Sequence, residues 1–217
     1  MERNKISGGI YLVINPSMRR IELLNRLEEV LQAGVAIVQI WDNWEPLINR
    51  QDVIMEVSNL CHRHHVPVLI NNSWELLSSF PLDGVHFDAI PDDYAQIQQY
   101  IKQDYLVGIT CNNDLSLVDW ADKNKLDYIS FCSIFPSSTS TSCELVSFDK
   151  IQEARRMTSL PLFLAGGIQL SNMSLLNELD YDGVAIISGI MSSENPAQVT
   201  KQYLETLRNK NNENRNN

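Results

Sequence analysis

Eight short runs rich in β-branched and aromatic residues recur along this 217-residue chain, and a helical pattern follows nearly every one. They are GIYLVIN (9–15), VAIVQIW (35–41), VPVLIN (66–71), GVHF (84–87), YLVGIT (105–110), DYISFC (127–132), PLFLA (161–165) and GVAIIS (183–188). Runs that stay apolar rather than alternating belong to strands buried on both faces, the habit of parallel sheets. Between them, IELLNRLEEVLQAG puts Leu24, Leu27 and Leu31 on one helical face and Gly34 at the stop. PAQVTKQYLETL (196–207) does the same with Val199, Tyr203 and Leu207. Eight strand–helix units without a break in composition predict an α/β protein, a single-domain (β/α)8 or TIM barrel over residues 1–208. The polar, Asn-rich end, 209–217, reads as a disordered tail. A doubly wound open sheet is the alternative. It usually has fewer strands and one dominant glycine-rich loop after the first, whereas here the paired glycines follow the seventh.

Those glycines lie in FLAGGIQLSN (163–172), and VAIISGIMSS (184–193) offers a second small-residue loop after the eighth strand. In barrels of this kind phosphate often sits between these two loops. Gly166 and Gly167 lack side chains, so their backbone N–H groups can approach an anion closely. Ser188, Gly189 and Ile190 supply a second set of amides, with the Ser188 hydroxyl as a further donor. The competing reading is that the glycines only turn the chain. CSIFPSSTSTSCELVS (132–147), after the sixth strand, is long and rich in hydroxyls; it reads either as part of the site or as a Ser/Thr linker.

A net charge of -10 and a pI near 4.8 argue against a nucleic-acid partner. The N-terminus shows no secretory pattern and no apolar run reaches the roughly 18 residues of a membrane span. Cys61, Cys111, Cys132 and Cys143 have no CxxC spacing, so reduced thiols and a cytoplasmic setting are expected. Cys61-His62-Arg63-His64-His65 invites a metal reading, but its place at the end of the second helix puts it on the bottom face, without Zn-type spacing. His86 reads as a packed histidine with a possible place in the site. Trp41 and Trp44 flank the mouth, either to stack on a flat ring or as an apolar plug or dimer contact; a homodimer is carried as an expectation.

YLVIN, VQIW, VLINNS, DGVHF, VGIT, DYISFCSIFPSST, LAGGI and GVAIISGI occur in this order. Together, over roughly residues 9–207, they resemble the thiamine-phosphate synthase family, including its thiazole-tautomerase branch. The resemblance implies a (β/α)8 barrel that joins a pyrimidine-methyl diphosphate to a thiazole phosphate, with magnesium, and releases pyrophosphate. It places Gln39, Asn71, Asn72, Thr110 and Asn112 at catalytic positions. It places Ser137, Thr139, Gly166, Gly167, Ile187 and Ser188 around the thiazole phosphate, and the cradle reading adds Gly189.

The departures fall on one side. VQIWDN has Trp41 and Asn43 where the family carries Arg and Lys, INNS has Asn72 and Ser73 where it has Asp and Arg, and Ser140 replaces a Lys. Asp88 and Asp92 lie near a metal-binding Asp position but out of register, and Asn112 stands where the tautomerase branch has His. Asn72 remains a weak metal candidate through its amide oxygen, which carries no charge. Charge-assisted hydrogen bonds contribute about 1.5–3 kcal/mol each. A deficit on the order of 5 kcal/mol would cost more than about three decades in rate. Three functions follow: a divergent synthase-family protein of thiamine synthesis or salvage that binds thiazole phosphate or thiamine phosphate, a tautomerase-like isomerase, and a non-catalytic sensor or regulator.

Overall fold

The computed structural model describes residues 6–101, 105–137 and 144–216, with side chains through Lys210. Strands β1 (Gly9–Ile14), β2 (Ile37–Ile40), β3 (Val68–Asn71), β4 (Gly84–Phe87), β5 (Leu106–Thr110), β6 (Tyr128–Cys132), β7 (Leu162–Ala165) and β8 (Gly183–Ile186) pair in sequence order, all parallel. β8 returns to β1, with Tyr11 opposite Ala185, so the sheet closes. The eight-stranded barrel is therefore the fold, and the open doubly wound alternative is excluded.

The continuous apolar runs have their explanation in two separate cores. Residues of one parity, such as Leu12, Val38, Ile70, Val85, Ile129 and Leu164, face outward and join the helices in one cluster. Those of the other parity, Tyr11, Val13, Ile37, Leu69, Leu106, Tyr128 and Phe163, fill the barrel interior. Tyr128 fits because its neighbour on β5 is Gly108, where an added Cβ would stand 2.0 Å from the Tyr128 ring.

The outer layer comprises α1 (Arg20–Ala33), α2 (Arg50–Arg63), α3 (Tyr94–Ile101), α4 (Ser116–Lys123), α5 (Phe148–Met157), the one-turn α6 (Ser188–Met191) and α7 (Pro196–Asn216). Short 3₁₀ turns at Trp74–Ser78 and Met173–Leu176 stand where helices would otherwise follow β3 and β7. Gly34 ends α1 at φ 105, donating its N–H to Val30 O. The buried face of α1 is Leu23, Leu27, Val30 and Leu31, and Leu24 lies at its edge, partly buried. Tyr203 and Leu207 of α7 are buried as expected, with Val199 partly so. The helix runs on past 208: Lys210 is buried, its Nζ donating to Tyr181 O at 3.2 Å and lying 3.5 Å from the Tyr181 ring centroid. The expected boundary at 208 thus falls inside a helix whose packing against the barrel extends further.

Among the described residues no helix is long and apolar enough to cross a membrane. Cys61 and Cys111 are buried free thiols; Cys143 lies outside the described residues. The histidines ending α2 pair with carboxylates, His62 with Asp83 at 2.7 Å and His64 with Glu28 at 2.9 Å.

Candidate functional site

Above the aromatic layer of Tyr11, Tyr128 and Phe163, the last inward-facing residues divide the mouth of the barrel into two unlike halves. On the β6, β7, β8 and β1 side they are Cys132, Ala165, Ala185 and Val13. These are small or short, and they floor a cavity of about 520 Å³. Its walls include Ser137, Gly166, Gly167, Ile187, Ser188 and Gly189. Six of the seven residues expected around a phosphate are thereby brought together; Thr139 lies outside the described residues. Gln169 and Ser171 also line the cavity and escaped the sequence reading, and Tyr203, read there only as a helix-face residue, lines it too.

The glycines of the β7 loop have a duty besides any ligand. Gly166 and Gly167 adopt φ 88 and 64, in the left-handed region that favours glycine. A Cβ on Gly166 would lie 2.4 Å from Ser133 Oγ, and one on Gly167 2.5 Å from Pro136 O. Phe135 N donates to Gly166 O at 3.0 Å, so this loop is packed tightly against the segment after β6. Turning the chain and keeping close contact are thus required of these glycines whatever occupies the cavity. Across from them, Ser188 and Gly189 open α6, and the first N–H groups of a helix have no intrahelical acceptor. The Ile190 N–H, expected to face an anion, instead reaches Ile187 O at 3.4 Å within the turn. No lysine or arginine lines the cavity among the described residues.

The β2–β5 half is polar and interlocked. Tyr11 Oη donates to Gln39 Oε1 at 2.5 Å and lies 2.8 Å from Tyr128 Oη. His86 Nδ1 meets Tyr128 Oη at 2.9 Å, His86 Nε2 meets Thr110 Oγ1 at 2.9 Å, and Thr110 Oγ1 meets Ser130 Oγ at 3.1 Å. His86 therefore lies inside the barrel, at 5% exposure. Burial lowers its pKa to about 4, opposed by the Asp88 charge. Burial likewise raises the pKa of Tyr11 and of Tyr128. Gln39 and Thr110 were expected at the site; Tyr11, Tyr128 and Ser130 were not. Ser130 could have been found from Thr110, which it faces in the β5–β6 register; no residue singled out on β1 or β6 pointed to Tyr11 or Tyr128.

Asn71 and Asn72 close the lip at β3. Asn71 Nδ2 donates to Asp88 Oδ1 at 3.1 Å and Asn72 Nδ2 to Asp88 Oδ2 at 2.8 Å. Their amide oxygens are turned to the backbone, Asn72 Oδ1 accepting from Asp88 N at 3.0 Å and Asn71 Oδ1 from Asp42 N at 3.4 Å. Magnesium takes oxygen ligands in near-ideal octahedral geometry. Here the NH₂ groups, not the oxygens, surround the carboxylate, so this donor set does not fit magnesium. The Asn72 amide oxygen, carried from the sequence as a metal candidate, is committed to a backbone N–H instead. Asn112 is exposed at φ 47 after β5 and does not line the cavity. Trp41 packs against the inner core, whereas Trp44 belongs to the outer one, with the Arg50 guanidinium 5.4 Å from its ring. Neither tryptophan lines the cavity.

Comparison with known proteins places this geometry in company. The family model for thiamine monophosphate synthase matches residues 10–190. The chain is 26% identical over 208 residues to a thiamine-phosphate synthase of Methanobrevibacter smithii, covering 96% of this chain and 99% of that one. It is 29% identical over 204 residues to one from Picrophilus torridus, with 93% and 97% covered. Among solved structures, the thiamine phosphate pyrophosphorylase from Pyrococcus furiosus superposes with a TM-score of 0.80 at 17% identity, covering 93% of this chain and 96% of that one, a likeness of fold.

Proposed function

Because the chain belongs to the thiamine monophosphate synthase family, we propose that it binds a phosphorylated heterocycle of thiamine synthesis or salvage, thiazole phosphate or thiamine phosphate. The observation that carries this reading is the cavity of about 520 Å³ whose walls are the two loops after β7 and β8. The phosphate would rest against the amides opening α6, the Ser188 hydroxyl and the Gly166–Gly167 backbone, with Ser137 and Thr139 completing the ring of donors. Neutral dipoles hold an anion without charge when they are fixed beforehand by packing. The close fit of the β7 loop against Ser133 and Pro136 supplies that fixing.

The opposite half supports a weakened synthase. A departing diphosphate needs cationic or metal stabilisation. The β2–β4 lip instead offers Asp88 held by two amides. That lock favours, as a second reading, a protein that binds the phosphorylated ligand without turning it over. A tautomerase-like role has less support, since Asn112 carries no titratable group and stands away from the cavity.

The test pairs binding with turnover. Titration calorimetry with thiazole phosphate and thiamine phosphate should show saturable binding to the wild-type chain. Gly166→Asp is expected to abolish binding, but the clash with Ser133 makes that loss ambiguous. Ser188→Glu is the cleaner variant, because Ser188 is exposed and lines the cavity. It should weaken binding by roughly tenfold or more through like-charge repulsion, with unchanged melting temperature. Equal affinity in wild type and variant would refute the cradle. Formation of thiamine phosphate from the two family substrates with magnesium, at a rate typical of enzymes, would refute the weakened-synthase reading alone.

A further inference from the structure

We propose that Tyr11 and His86 are positioning residues that decide which half of the Gln39 amide a ligand meets, because the hydrogen-bond chain joining them can be satisfied in only two ways. In the first, Tyr11 donates to Gln39 Oε1, as the structure has it. The Tyr11 hydrogen is then spent, so Tyr128 Oη must donate to Tyr11 Oη. Tyr128 can in turn only accept from His86, which fixes the imidazole hydrogen on Nδ1. Nε2 then accepts from Thr110, and Thr110 accepts from Ser130. Assigning one donor assigns them all.

In the second, every bond reverses: the Gln39 amide N–H₂ donates to Tyr11, Tyr11 to Tyr128, Tyr128 to Nδ1, Nε2–H to Thr110, and Thr110 to Ser130. Both states hold the same protons, one on each of the four hydroxyls and one on the imidazole. The hydroxyls rotate between states, and the imidazole proton exchanges with solvent during transient opening. Any mixed arrangement sets two hydrogens or two lone pairs against each other. Tyr11, Tyr128, His86 and Ser130 are at most 5% exposed, so water cannot repair such a fault cheaply. The lowered basicity of the buried imidazole keeps it singly protonated at neutral pH, as both states require.

The consequence is felt at the mouth. Among the described residues Ser58 Oγ alone is a fully buried side-chain polar atom without a partner. The remaining amide atom of Gln39, which makes no bond to another described residue, is therefore the part that reaches the mouth. In the first state it is N–H₂, matched to a ring nitrogen or carbonyl. In the second it is C=O, matched to an exocyclic amine. Ligand choice at Gln39 and the tautomer of His86 are thus one variable, read at opposite ends of a buried chain, and this holds whether or not the neighbouring cavity takes a phosphate.

Nitrogen-15 spectra of the full chain labelled at histidine read this directly, since protonated and bare ring nitrogens differ widely in shift. Wild type at neutral pH should show His86 with Nδ1–H in roughly tenfold excess. In Tyr11→Phe, Tyr128 loses its acceptor and turns its hydrogen onto Nδ1, so the ratio should invert toward Nε2–H. Gln39→Met removes the acceptor for Tyr11 and should drive the same inversion if Tyr11→Phe does not fold. Gln39→Glu, which can only accept from Tyr11, should keep Nδ1–H. A role confined to packing would lower stability in the variants and leave the tautomer alone. The wild-type tautomer persisting in Tyr11→Phe, or in Gln39→Met, would overturn the proposal.

Discussion

Ser58 on α2 is wholly buried, and its hydroxyl oxygen has no partner. An unmatched buried polar atom costs about 1–3 kcal/mol. Ser58→Ala should therefore be neutral or stabilising by up to about 1 kcal/mol in urea unfolding, a rare direction for a core substitution. His86 shows the opposite balance. Its folded pKa of about 4 lies below its ordinary value of 6.5, so between those limits the unfolded chain binds the extra proton. Stability is then full above about pH 6.5 and falls as the pH drops toward 4. The melting temperature should decline through that window, and His86→Gln should flatten the decline. A decline of equal steepness in the variant would assign it to carboxylates instead. At this scale the sequence could flag Gly166 and Gly167 by position, yet only coordinates show Ser133 and Pro136 pressed against them. Likewise nothing in the string joins Tyr11 to Tyr128, 117 residues apart in the chain.

The strands share a device at their lower ends that their apolar runs conceal. Asp83, Asp127 and Asp182 each stand just before an even-numbered strand. Each accepts from the backbone N–H near the start of the preceding strand: Val68 at 2.7 Å, Val107 at 2.7 Å and Leu162 at 2.8 Å. Each aspartate also donates its own N–H to the carbonyl of that same residue at 2.8–2.9 Å. Two-way bonding of this kind pins neighbouring strands in register at the face away from the mouth. Asp182 is held further by Arg155 at 3.0 Å. Asp182→Ala should destabilise by about 2 kcal/mol, within the range for a hydrogen bond to a charged group. Ligand affinity should be unchanged, because the contact lies at the end of β8 away from the cavity. Affinity and stability falling together would mean that the register of β8 governs the loop after it. All eight strands were legible, since β-branched runs buried on both faces leave a dense apolar signal. Their trimming by a residue or two was not, because apolar residues such as Val35 continue into flanking turns. The aspartates read as turn residues, and turn chemistry alone does not say which strand receives a carboxylate. The run of α7 beyond 208 escaped notice for a similar reason, as Lys210 is polar by type yet packs on an aromatic ring.

Across the whole molecule, 27 acidic residues face 17 basic ones, and the cavity proposed to hold a phosphate sits in that negative field with no lysine or arginine among the described residues of its wall. The short-range attraction of fixed amides and the long-range repulsion of the net charge therefore pull in opposite directions. Salt separates them, because screening acts over about 10 Å at 0.1 M and leaves direct hydrogen bonds nearly untouched. A cradle of neutral dipoles in an acidic protein should bind thiazole phosphate more tightly as salt rises, about two- to threefold between roughly 20 and 200 mM. A site that grips the same ligand with arginine and lysine should do the reverse, losing affinity as its cations are screened. Titration calorimetry over a chloride series decides between them, with a neutral thiazole alcohol as the control whose affinity should stay flat. Asp88→Asn should make the net charge one unit less negative and also loosen the amide lock at β3, so its affinity at low salt should rise toward the wild-type value at high salt. Affinity that falls with salt would mean that a cation reaches the phosphate, and the division of the mouth into a dipolar half and an acidic half would have to be abandoned.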